Sequence, residues 1–147
     1  VDIAVASDHG GFCLKGEIAE LLKSMGHTCR DLGPRDQSAV DYPDYALKVA
    51  TAVAEGVCEK GILVCGTGQG MAMTANKVRG IRAAVCHDTY SARMSREHND
   101  ANVLCLGERV IGRGLAGEIV RTWLEAEFSG EERHNRRVAK ISALERE

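Results

Sequence analysis

Gly61-Ile62-Leu63-Val64-Cys65-Gly66-Thr67-Gly68-Gln69-Gly70 is the stretch on which the reading of this chain turns. Its first half is an apolar, partly β-branched run that predicts a buried strand, and its second half is a glycine turn. Met71 to Lys77 follow without Gly or Pro and predict a helix. A strand, a glycine turn and a helix in succession aim several backbone N–H groups at one anionic atom. Cys65 stands at the mouth of that cradle. A thiol beside a helix start is a candidate base or nucleophile. A small Cys buried in a tight strand-to-helix turn accounts for the same residues, so the neighbours must decide.

Outward from this stretch the chain alternates. Val1 to Ala6 predict a first strand, and Leu14, Ile18, Leu21, Leu22 and Met25 recur at helical spacing up to the stop at Gly26. His27 to Leu32 read as a short second strand, closed by Gly33-Pro34. A helix with Ala46, Val49, Ala50 and Val53 inward precedes the central strand. Ile81 to Cys86 predict a fourth strand, Asp88 to Glu97 a helix, and Asn102 to Leu106 a fifth strand. Leu115, Ile119, Trp123 and Leu124 mark a long helix, and Val138, Ile141 and Leu144 a docking helix in the tail 131–147. Strands alternating with helices predict one α/β domain over 1–147, a Rossmann-like three-layer α/β/α fold on a five-stranded parallel sheet.

Composition narrows the function. A net charge of −2 with 27% charged residues argues against a nucleic-acid surface. No apolar run is long enough to cross a membrane, and no charged-then-apolar leader opens the chain. The six cysteines form no C-x-x-C pair and lie mostly in or beside apolar runs, which predicts reduced thiols, a cytoplasmic setting and no zinc site.

Ligands of such sheets collect at the carboxyl ends of the strands. Asp8 and His9 after the first strand, Cys65 to Gly70 after the third and Arg109 after the fifth share that edge. His98 and Asn99 end a helix, where a solvated cap is the plainer reading. Arg133 and Arg137 stand at i and i+4, on one face if helical, a spacing that suits a phosphate as well as a solvated tail. A dinucleotide site has one point in its favour, Asp88 near the place of a ribose-binding acid. Against it, the pattern is G-x-G-x-G with Met71 where a third small residue belongs, and no G-K-[ST] follows.

Taken together, Ser7-Asp8-His9-Gly10-Gly11, Asp41-Tyr42-Pro43, Cys65 to Gly70, Ala75-Asn76-Lys77, Ser95 to Asn102 and Arg133 to Val138 resemble the type B ribose-5-phosphate isomerases, a family that includes galactose- and allose-6-phosphate isomerases. The likeness spans nearly the whole chain in order. It implies a metal-free, cofactor-free aldose–ketose isomerase of the pentose phosphate pathway, working through an enediolate. By that likeness Cys65 is the base between C2 and C1, and Thr67 relays a proton between the oxygens. Gly66, Thr67, Gly68, Gln69 and Gly70 hold the enediolate oxygen by their N–H groups, and His98 opens the furanose ring. Asp8, Tyr42 and Asn99 contact the sugar, and His9, Arg109, Arg133 and Arg137 bind its phosphate. Two residues depart from the pattern. Met71 stands where some relatives carry a carboxylate, which assigns the chain to the Cys branch, and Gln69 is more polar than expected.

Allose 6-phosphate or another hexose 6-phosphate is an alternative substrate. A Cys/His thiol hydrolase or acyl transferase, or a sugar-phosphate binding module, is an alternative class. Sheet polarity adds an expectation about assembly. Cys65 follows its strand, whereas His98 and Asn99 precede theirs, so the two groups sit at opposite edges of one chain. For both to act on one sugar, the protein must be at least a dimer with sites shared between chains.

Overall fold

A computed structural model describes residues 1–145; the last two residues of the expected tail lie outside them. Five strands, β1 (Asp2–Ser7), β2 (Thr28–Asp31), β3 (Lys60–Cys65), β4 (Ala83–Val85) and β5 (Val103–Gly107), form one parallel sheet in the order β2-β1-β3-β5-β4. The helices of the described residues are α1 (Phe12–Ser24), α2 (Tyr42–Ala54), α3 (Gln69–Ala75), α4 (Thr89–Glu97), α5 (Arg113–Glu125) and α6 (Glu132–Ser142). The expected three-layer Rossmann-like architecture is what forms.

Period-two alternation sends the two faces of each strand to different helices. Ile3, Val5, Ile62, Val64, Leu104 and Leu106 meet α1 and α5 through Leu14, Ile18, Leu22, Ile119 and Trp123. Ala4, Ala6, Leu63, Cys65, Val103 and Cys105 face α2 and α3. The second face is built from smaller side chains, so α2 approaches the sheet closely; a Cβ on Gly61 would run into Val49. The connection leaving β1 runs to β2 on one side, whereas the connection leaving β3 runs toward β4 and β5 on the other. The crevice between the carboxyl ends of β1 and β3 is therefore the topological switch point, where Asp8 and Cys65 follow their strands.

Two expectations need correction. The helix after the glycine turn spans Gln69–Ala75, not 71–77, because Gly68 at φ 79° makes the whole turn and the helix begins on the next residue. The fourth strand is only Ala83–Val85, since the Arg82 N–H is taken by the Asn102 side chain at 2.8 Å and Asn76 brackets Ala83 on both backbone groups. Asp88, set aside above as a ribose-binding acid, caps α4, accepting from the Ser91 N–H at 2.6 Å and the Ser91 hydroxyl at 2.8 Å.

Candidate active site

At the switch-point crevice the loop after β3 wraps around its own thiol. The Gly68 N–H donates to Cys65 Sγ at 3.0 Å. A φ of 79° at Gly68 turns that N–H back, and a side chain there would press on the Leu106 backbone about 3.1 Å away. The Gln69 N–H donates to Thr67 Oγ1 at 3.3 Å, which leaves the threonine hydroxyl proton to point elsewhere. Two of the five expected N–H donors are thus spent inside the loop. Gly70 lies within α3, beneath the Tyr42 ring, where any side chain would displace the tyrosine. Gly66 and Thr67 keep N–H groups with no partner among the described residues. Cys65 itself is buried, 5% exposed, while Thr67 is exposed.

The neighbouring loops close on the same spot. The Asp8 N–H donates to the Val64 carbonyl at 3.2 Å, and Asp8 Oδ1 accepts from the Gly11 N–H at 3.1 Å, capping a short 3-10 turn over His9–Gly11. Gly10 passes the Gly66 backbone so closely that a Cβ would lie 3.4 Å from its nitrogen. His9 Nδ1 accepts from the Val40 N–H at 3.2 Å, so a neutral ring carries its proton on Nε2, free to donate outward. Beyond β5, the Arg109 N–H binds the Gly66 carbonyl at 3.1 Å and its guanidinium lies over Gly66. Arg109 meets no carboxylate among the described residues. A thiol, two open N–H groups, a carboxylate, an imidazole donor and an unpaired guanidinium therefore converge here.

His98, Asn99, Arg133 and Arg137 are elsewhere. Cys65 pairs with Gly107 at the carboxyl end of β5, and His98 precedes Val103 at its other end. The four strand steps between them alone measure about 13 Å. α6 crosses that amino edge, from the end of α4 to the turn before β4. Arg133 pairs with Glu131 at 3.0 Å, whereas Arg137 is exposed and meets no carboxylate among the described residues. Asn99 lines a groove of about 710 Å³ with Arg82, Ile81, Ile141 and Leu144. Within one chain, then, Cys65 and His98 form no dyad of the kind a thiol hydrolase would require.

Two participants escaped the sequence reading. His134 is buried and stacks on His98, ring centroids 4.3 Å apart, while its Nδ1 meets the Ser129 hydroxyl. Ser129 donates its N–H to the Glu97 carbonyl, so α4, the 129 turn and α6 hold the His98 ring jointly. Burial first, then the nearby His98 and Arg133 charges, hold His134 below the usual histidine value. The second is Glu108, which joins the Cys65 loop to α1. The His-Asn-Arg run around 134 was the only available signal for the first; the second had none. Burial pushes the thiols of Cys29, Cys58, Cys86 and Cys105 up, and all six cysteines are free. Among the described residues no group of three His, Cys, Asp or Glu could hold a metal ion.

A family model described as Ribose/Galactose Isomerase matches residues 3–141. Ribose-5-phosphate isomerase B of Escherichia coli is 50% identical over 143 residues, 97% of this chain and 95% of that protein. D-erythrulose-4-phosphate isomerase of Pectobacterium atrosepticum is 48% identical over 132 residues, 88% of this chain and 86% of that protein. The solved structure of Clostridium thermocellum ribose-5-phosphate isomerase B superposes with a TM-score of 0.96 at 58% identity, covering 98% of this chain and 97% of that one.

Proposed function

This chain belongs to the ribose/galactose isomerase family and is an isomerase, and on that premise we propose that it interconverts D-ribose 5-phosphate and D-ribulose 5-phosphate without a metal. The observation that carries the reading is the Cys65 thiol held by the Gly68 N–H beside the open donors of Gly66 and Thr67. In the proposed mechanism Cys65 takes the C2 proton and returns it at C1. The Gly66 and Thr67 N–H groups meet the enediolate oxygen, a kind of contact worth ~3–4 kcal/mol per donor. The Thr67 hydroxyl moves the proton between O1 and O2, and Asp8 and Tyr42 hold the sugar hydroxyls. His98 and Asn99, from a second copy of the chain, open the furanose and hold its end. His9 and Arg109 from one chain and Arg133 and Arg137 from the other neutralise the phosphate.

A four-carbon substrate is the second reading, favoured by the erythrulose-phosphate relative. Chemistry separates the two. A tetrose 4-phosphate has its O4 blocked and no furanose to open, so a ring-opening His98 would be idle. Initial rates on ribose 5-phosphate, erythrulose 4-phosphate and allose 6-phosphate, each with and without a strong chelator, test the proposal. The expected result is the highest kcat/KM on ribose 5-phosphate, unchanged by chelation. A preference for either other sugar, or a chelator loss restored only by a divalent ion, would contradict it.

A further inference from the structure

Glu108 is not among the residues expected to meet substrate, yet its bonds reach both loops of the carboxyl edge. Its N–H donates to the Cys65 carbonyl at 2.9 Å, one residue before Arg109 binds the Gly66 carbonyl. Its side chain turns the other way: Oε1 accepts from the Leu14 N–H at 2.6 Å, in the first turn of α1. First-turn N–H groups have no partner within their own helix, and a carboxylate there also answers the positive end of the helix. α1 follows directly on the Asp8–Gly11 turn. One side chain therefore ties together backbone segments 94 residues apart in sequence. In sheets of this topology the helix end after β1 commonly receives a ligand's anion. Here the protein's own carboxylate occupies it, consistent with a phosphate held by His9 and arginines instead.

We propose that Glu108 is a positioning residue for Cys65. By anchoring residues 108 and 109 to α1, it fixes the Cys65 and Gly66 carbonyls, and so holds the thiol in register with Asp8 and His9. The proposal rests on the reading of Cys65 as the base. Geometry, not charge, is the operative feature, and two variants separate these. Glu108→Asp keeps the charge but is one methylene too short to reach Leu14; Glu108→Gln keeps the reach and an acceptor oxygen.

The test pairs steady-state kinetics with the rate at which iodoacetamide alkylates Cys65 in the native protein, followed by mass spectrometry of its peptide. Glu108→Asp is expected to lower kcat about tenfold with KM within about twofold, the signature of a mispositioned base. It should also speed alkylation of the buried thiol at least about threefold as the loop opens. Glu108→Gln should stay within about twofold of the parent protein in both readouts. The reverse ordering, equal effects in the two variants, or unchanged alkylation in both would overturn the proposal. Should Cys65→Ala retain turnover, the base assignment fails by that measurement alone, and the alkylation comparison still decides the role of Glu108.

Discussion

Cys65 owes its place to two local rules. As the last residue of β3 it shares the face of Leu63, turned toward α2 and α3, and the loop beyond it folds back so that Gly68 caps the sulfur. Removing the thiol removes the proposed base, so Cys65→Ala should lower kcat at least ~100-fold with a modest effect on KM. Near-normal turnover in that variant would assign the base to another group. For His98 the substrate's own chemistry supplies the test. Ribose 5-phosphate is a furanose, whereas ribulose 5-phosphate is open-chain, its O5 being blocked. His98→Ala should therefore cut kcat at saturating ribose 5-phosphate far more than kcat at saturating ribulose 5-phosphate, while kcat/KM falls equally in both directions because the equilibrium is unchanged. Equal losses of kcat in both directions would mean that His98 serves the proton transfer and not ring opening.

At the scale of elements, α6 carries both a binding face and a titration. Arg133 and Arg137 share one face, and only Arg133 is already ion-paired, by an exposed contact of the kind worth ~0–1 kcal/mol. Arg137→Ala should weaken both substrate binding and inhibition by inorganic phosphate more than Arg133→Ala does, with folding intact. Unchanged phosphate inhibition in both variants would leave α6 without a role in phosphate binding. On the buried side of α6, His134 sits below its ordinary value because burial, His98, Arg133 and Arg137 all disfavour its charge, against Glu131. The unfolded chain then binds more protons than the folded one. Stability contributed here is full above about pH 6.5 and lost as pH falls toward the folded value. Denaturant titrations across that range should show the slope, and His134→Asn should flatten it. The elements themselves were legible in the sequence because apolar periodicity and glycine punctuation mark them directly. What was not legible depended on packing between distant segments. Gly70 reads as turn but is helical once Gly68 takes the left-handed conformation, and Ile81-Arg82 reads as strand until Asn102 takes the Arg82 N–H. His134 on His98 and Glu108 on Leu14 are contacts that no local pattern announces.

At the scale of the whole molecule, the sheet divides the expected site residues into two half-sites on opposite edges. Asp8, His9, Tyr42, Cys65 to Gly70 and Arg109 lie on one; His98, Asn99, Arg133 and Arg137 lie on the other. The amino-edge half also leaves apolar surface uncovered: Leu144 is 77% exposed and Ile141 46% exposed, beside the groove that Asn99 lines. Covering such side chains is worth about 1.5–3 kcal/mol each when complete, a reason for a second copy to dock there. The central claim is that each active site joins one chain's Cys65 to another chain's His98. Mixing separately inactive Cys65→Ala and His98→Ala proteins, with subunit exchange verified, tests it most directly. At equal amounts about half the dimers are mixed, and each mixed dimer holds one doubly damaged site and one intact site. About a quarter of the parent activity is predicted to return from two inactive proteins. Exchange without any return of activity would contradict the account, because the site would then lie within a single chain.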